Sequence, residues 1–75
     1  MSIEQAPHVL RALDAHGNVS WWTGRAGADW VSRDRSQAFA DLNRDGARRR
    51  ALQFNARRGL HGLLFIAIPA KGDPE

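Results

Sequence analysis

The sequence contains no cysteine, a single lysine and no apolar run long enough to cross a bilayer. Without cysteine, disulfide bonds, thiolate nucleophiles and thiolate metal sites are excluded, and the composition suits a reducing compartment. The longest apolar run, LLFIAI at residues 63–68, is far shorter than the about 20 residues of a membrane helix. Residues 1–12 lack the apolar core of a secretory signal. We therefore expect a cytoplasmic protein with no membrane partner.

The residue patterns of common catalytic and metal sites are missing too. His8, His16 and His61 do not have the spacing of metal ligands. The sequence has no nucleophile elbow, no paired acidic residues and no phosphate-binding loop. We expect a protein that is not an enzyme and that has no cofactor and no metal.

The length of 75 residues predicts one domain, because two would each be too small to bury a core. We place this domain at residues 7–69. The polar, breaker-rich tail at residues 70–75 and the lead-in at residues 1–6 are expected to be flexible.

The apolar pattern predicts three strands and one main helix. Strands are expected at residues 8–14 and 19–23, joined by a turn at Gly17 and Asn18. Asn43 is a good N-cap and Gly59 a stop signal, so the main helix is expected at residues 44–58. The aliphatic residues 60–68 predict the last strand.

These elements predict an α+β domain of β-β-α-β order with a three-stranded antiparallel sheet, order 2-1-3. A short helical turn is expected over residues 36–42, before the main helix. Residues 24–34 contain two glycines and two aspartates and are expected to form an ordered loop, which Trp30 and Val31 hold against the domain.

Both faces of the predicted sheet are apolar, whereas one helix can cover only one of them. Trp21 and Trp22 are neighbours on a strand, so they point to opposite faces and one faces away from the helix. The loop carrying Trp30, a second copy of the chain or a foreign partner could cover it. An uncovered aromatic face with arginines nearby would also suit single-stranded nucleic acid, whose bases stack on rings.

Arginine is concentrated between residues 44 and 58, a segment with six arginines and one aspartate. Three interpretations remain open: phosphate binding, contact with an acidic protein surface, and a solvated helix face that reflects coding bias. Consecutive residues are about 100° apart on a helix, so the arginines spread around it. The residues concerned are Arg44, Arg48, Arg49, Arg50, Arg57 and Arg58.

Residues 24–27 read GRAG, with Arg25 inside a GxxG pattern. Some RNA-binding folds clamp a nucleic-acid backbone with such a loop, but there the loop joins two helices. Here it follows a predicted strand, where a plain turn explains the glycines equally well.

The sequence shows one overall pattern of features. It consists of the segment LRALDAHGNVSWWTG, then Trp30, Ala38-Phe39, the helix opening NRDGA and a final strand ending in proline. This pattern, over residues 8–69, resembles short uncharacterised proteins of phages, prophages and plasmids. Gly46 stands where those proteins usually have an acid, and arginine is denser here. The resemblance implies a mobile element, whose small basic proteins bind nucleic acid or block a host enzyme, as anti-CRISPR proteins do.

The sequence thus predicts a binding module. Nucleic acid is the first candidate partner, bound by the arginine-rich helix and an aromatic sheet face. The face includes Trp21, Trp22 and Trp30, and Arg25 of the GRAG segment is a further candidate binding residue. The alternative is a protein–protein interaction module, which either inhibits a host enzyme or associates with itself as a homodimer.

Overall fold

The computed structural model describes residues 6–70, which form a four-stranded antiparallel sheet and one main helix. The strands are β1 (His8–Leu13), β2 (Val19–Trp22), β3 (Val31–Ser32) and β4 (Leu64–Pro69). The helices are α1 (Arg44–Asn55) and the single-turn α2 (Arg58–His61), and short 3₁₀ helices lie at Gly27–Asp29 and Arg35–Gln37. The predicted flexible ends fall outside the described residues except for Ala6 and Ala70.

The predicted three-stranded sheet is wrong, because β3 adds a fourth strand at the edge and the order is β3-β2-β1-β4. Trp21 and Trp22 pair with Ser32 and Val31, and the Thr23 N–H donates to the Trp30 carbonyl at 3.0 Å. Residues 24–34 therefore return as a hairpin and not only as a loop. The α+β class, the single main helix and the antiparallel pairing of β1 with both β2 and β4 agree with the prediction.

α1 begins where the sequence predicts and ends earlier. The Asn43 side chain accepts a hydrogen bond from the Gly46 N–H at 2.7 Å, as an N-cap does. The predicted stop at Gly59 is wrong, because α1 ends at Asn55 and Gly59 lies inside α2. The left-handed residue is Gly62, with φ of 74°, and its N–H donates to the Arg58 carbonyl at 2.7 Å.

Small side chains let α1 pack closely on the middle of the sheet. Ala47 and Ala51 are buried against Leu10, Ala12 and Phe65 of β1 and β4. Since one face of the helix is used for this contact, the residues between the two alanines point sideways and outward.

Candidate nucleic-acid interface

Arg48 and Arg50 of α1 lie on two opposite flanks of the helix. Arg48 faces β4, where it lines a depression together with Ile66 and Ala67. Arg50 faces β2, and its guanidinium carbon lies 5.3 Å from the centroid of the Trp22 ring. Because residues 48 and 50 are about 200° apart on the helix, the flanks are defined by the helical spacing as well as by these contacts.

The remaining arginines extend this arrangement. Arg44 follows the Arg48 flank by helical spacing, and Arg57 lines the same depression as Arg50. Arg49 lies between the two flanks and is exposed on the side of α1 that faces away from the sheet. Arg58 is exposed at the start of α2.

The positive charge of this surface is not neutralised within residues 6–70. None of the six arginines has a described carboxylate oxygen within 4.0 Å, and the only acid in α1 is Asp45. Arg50 Nη1 donates a long hydrogen bond of 3.5 Å to Gln53 Oε1. The Nε of Arg44 is buried without a hydrogen-bond partner. Five of the six arginines are exposed, so their charges are available to an anionic partner.

Two adjoining depressions follow the flank of α1 that faces β2. One, of about 560 Å³, is lined by Arg50, Gln53, Phe54, Ala56 and Arg57. The other, of about 200 Å³, shares Arg50 and Gln53 and adds Arg49, Leu42 and Gly46. Guanidinium groups therefore border an open groove with an aromatic residue in its wall, a combination that fits phosphate groups better than an apolar ligand.

The tryptophans do not form an exposed aromatic platform. Trp22 and Trp30 lie on the α1 side, with ring centroids 5.6 and 5.7 Å from that of Phe54. Trp21 faces away from α1, yet only 8% of its surface is exposed. The guanidinium carbon of Arg35 lies 4.9 Å from the centroid of its ring. The 3₁₀ helix at Arg35–Gln37 thus covers the outward tryptophan, and the loop at residues 24–34 instead brings Trp30 to the α1 side.

Arg25 lies apart from α1, in the connection between β2 and β3. Its Nη2 donates to the Gln37 Oε1 at 3.2 Å, and its N–H donates to the Thr23 hydroxyl oxygen. Gly24 and Gly27 both have positive φ, of 78° and 76°, as a turn requires. The GRAG segment is accordingly a turn within a β-hairpin that is tied to the 3₁₀ helix at Arg35–Gln37.

Two exposed residues of α1, Leu52 and Gln53, were not among the predicted site residues. They lie beside Arg49 on the outward side of the helix, and Leu52 is 70% exposed. The sequence does contain a signal for Leu52: it is a large apolar residue outside the stripe formed by Ala47, Ala51 and Phe54. A single exposed leucine is common on protein surfaces, however, and it indicates a binding surface only when it lies next to the arginines.

The rings of two of the three histidines in residues 6–70, His8 and His61, have hydrogen-bond partners within the fold. The ring of His61 bonds to the Phe54 carbonyl at 2.9 Å and to the Leu63 N–H at 3.0 Å, and His8 Nδ1 lies 2.9 Å from the Ala6 carbonyl. Within residues 6–70, no three His, Asp or Glu side chains come together in a group suited to a metal ion. In the same part of the chain, no helix combines the length and apolar character needed to traverse a membrane.

Comparison with protein-family models, curated proteins and solved structures finds no match to this chain. The resemblance to phage, prophage and plasmid proteins therefore stays a prediction. The function has to be argued from the charge, shape and exposure of the surface itself.

Proposed function

We propose that the protein binds nucleic acid through the arginines of α1 and α2 and catalyses no reaction on it. The observation that carries this proposal is the set of six arginines without described carboxylate partners, five of them exposed on one helical layer. Phosphates spaced along a nucleic-acid backbone would neutralise these charges and release bound counterions.

The sequence-based prediction included stacking of bases on the tryptophan rings, and this proposal does not. Trp21 is covered by Arg35, and Trp22 packs under Arg50. A base could reach either ring only after an arginine had moved. The proposal therefore depends on guanidinium–phosphate contacts and assigns no base stacking to the tryptophans.

The proposal is tested by measuring binding of short mixed-sequence DNA at several salt concentrations. We expect wild-type affinity to fall steeply between about 50 and 200 mM salt. In the variant R48A/R50A, loss of two phosphate contacts should reduce the slope of log affinity against log salt by about 2. Circular dichroism should show the same fold, because both side chains are exposed.

The matched control is R25A/R33A, which removes the same net charge from exposed positions outside α1. It should keep nearly the wild-type slope, because only long-range attraction is weakened. Equal losses in the two double variants, or no salt-dependent binding by the wild type, would contradict the proposal. Saturable binding of an acidic protein with no DNA binding would favour the protein-partner alternative.

A further inference from the structure

The outward surface of α1 consists of a crest between the two arginine flanks. The crest is formed by four exposed residues, Asp45, Arg49, Leu52 and Gln53. At its margins, Leu52 also borders the β4-side depression with Arg48, and Gln53 borders the β2-side depressions with Arg50. The helix has 12 residues and is therefore about 18 Å long. Since α1 packs on the sheet only through the opposite face, this whole length is open to a partner.

The two flanks are separated by the width of the helix. Arg48 lies toward β4 and Arg50 toward β2, and β1 runs between these two strands. Strands in a sheet are about 4.8 Å apart, so the sheet positions beneath the two arginines differ by about 10 Å. Arginine side chains are long enough to extend from both flanks toward the crest side.

Nucleic acids differ in whether they can receive such a helix. The major groove of B-form DNA is about 12 Å wide, has phosphates along both edges and admits an α-helix of about 10–12 Å diameter. The major groove of an RNA duplex is too narrow and deep for side chains to read. A single strand presents one row of phosphates and relies on exposed stacking rings, which this protein lacks among residues 6–70.

We infer that the nucleic acid is a B-form DNA duplex and that α1 lies in its major groove, an inference that rests on the proposed function. Arg48 contacts phosphates along one edge of the groove, and Arg50 with Arg57 contacts those along the other. Arg49, Leu52 and Gln53 face the base edges.

The composition of the crest agrees with this orientation. An exposed leucine contacts the methyl group of thymine, a glutamine amide pairs with adenine, and an arginine donates to guanine. Asp45 precedes Arg49 by one turn and Arg48 by three residues, so it lies on the crest, at the margin next to the Arg48 flank. There it faces base edges, where a carboxylate accepts from the cytosine amino group.

The first experiment compares a DNA duplex, an RNA duplex and a single DNA strand of the same mixed sequence. We expect the DNA duplex to bind at least about tenfold more tightly than the other two at moderate salt. Equal or tighter binding of the RNA duplex or the single strand would overturn the major-groove inference and leave the proposed function intact. Absence of binding to all three would contradict the proposed function itself.

The second experiment determines which groove of the DNA duplex the protein occupies. Bound protein should protect guanine N7, which faces the major groove, from methylation by dimethyl sulfate. Netropsin, a minor-groove ligand, should leave the affinity nearly unchanged. Unprotected N7 atoms together with competition by netropsin would contradict the inference.

The third experiment tests the crest with two exposed leucines as a matched pair. Leu52 is on the crest, whereas Leu60, 85% exposed, is in α2 and outside it. The variant L52A should weaken binding of a thymine-containing duplex by about fivefold or more, in line with a lost methyl contact. The variant L60A should bind like the wild type. Unchanged binding by L52A would contradict the placement of the crest against the bases.

Discussion

The side chain of Asn55 hydrogen-bonds both the backbone N–H and the backbone carbonyl of Phe65. Its Oδ1 accepts from the N–H at 2.8 Å, and its Nδ2 donates to the carbonyl at 3.0 Å. β4 is an edge strand, so these polar groups of Phe65 point away from β1 and the amide occupies the place of a neighbouring strand. The last residue of α1 thus fixes the helix to the sheet and protects its edge.

Replacing Asn55 by alanine should lower the free energy of unfolding by about 1 to 3 kcal/mol, because two backbone groups in a partly buried position lose their partners. Urea denaturation measures this difference. The matched control is Q53A, which removes an exposed amide from the same helix. An N55A variant as stable as Q53A would show that these two hydrogen bonds do not stabilise the fold.

Gly59 and Gly62 lie at the end of the helical segment. Replacing each of them by alanine should change the stability of the protein in opposite directions. Gly62 has φ of 74°, so G62A should destabilise the protein by about 1 kcal/mol. Gly59 lies in α2 without positive φ and has no atom within 4 Å of an added Cβ, so G59A should stabilise it by about 0.5 to 1 kcal/mol. Thermal denaturation of both variants checks the signs. If G59A were destabilising and G62A stabilising, Gly59 and not Gly62 would be the residue that ends the helical segment.

Enlarging Ala47 tests how closely α1 approaches the sheet. This alanine is completely buried against β1 and β4, so A47L should cost about 1 to 3 kcal/mol through overpacking. The variant A56L adds the same atoms at an exposed position and should change stability by less than about 0.5 kcal/mol. The free energies of unfolding are measured by chemical denaturation. Equal values for the two variants would argue against close packing at Ala47.

The turn between β1 and β2 should contribute a pH-dependent part of the stability. Hydrogen bonds from the backbone N–H and then the side chain of Asn18 hold the pKa of Asp14 below its ordinary value of 3.8. Because the folded pKa is the lower one, the unfolded chain binds the proton first. The stabilisation is complete above about pH 5 and is lost as the pH falls through about 4 and below.

The Asp14→Asn variant should therefore lose less stability than the wild type between about pH 6 and pH 3. Part of the acid sensitivity should persist, since the side chain and then the N–H of Ser36 lower the pKa of Asp34 in the same way. Guanidinium denaturation at each pH provides the comparison. Identical pH profiles for the two proteins would contradict a role of this carboxylate in the turn.

The candidate site was only partly predictable from the sequence. The clustering of six arginines and the helix that carries them are visible without coordinates, because Asn43 marks the helix start and the apolar period marks its inner face. The cover over Trp21 was not predictable, since it comes from Arg35, fourteen residues further along the chain. Loop paths of this kind depend on long-range packing and leave no periodic signal.

The sequence by itself determined the elements that have a strong local cause: the N-cap at Asn43, the alanine stripe of α1, the hairpin connection that contains Gly17 and Asn18, and the aliphatic character of β4. Only the tertiary structure decided the fourth strand, the end of α1 at Asn55 and the side on which each tryptophan and arginine lies. The physical reason is that a two-residue strand such as β3 is too short to show alternation. It forms because the Thr23 N–H bonds to the Trp30 carbonyl and because the Trp30 ring packs on Phe54, which is distant from it in sequence.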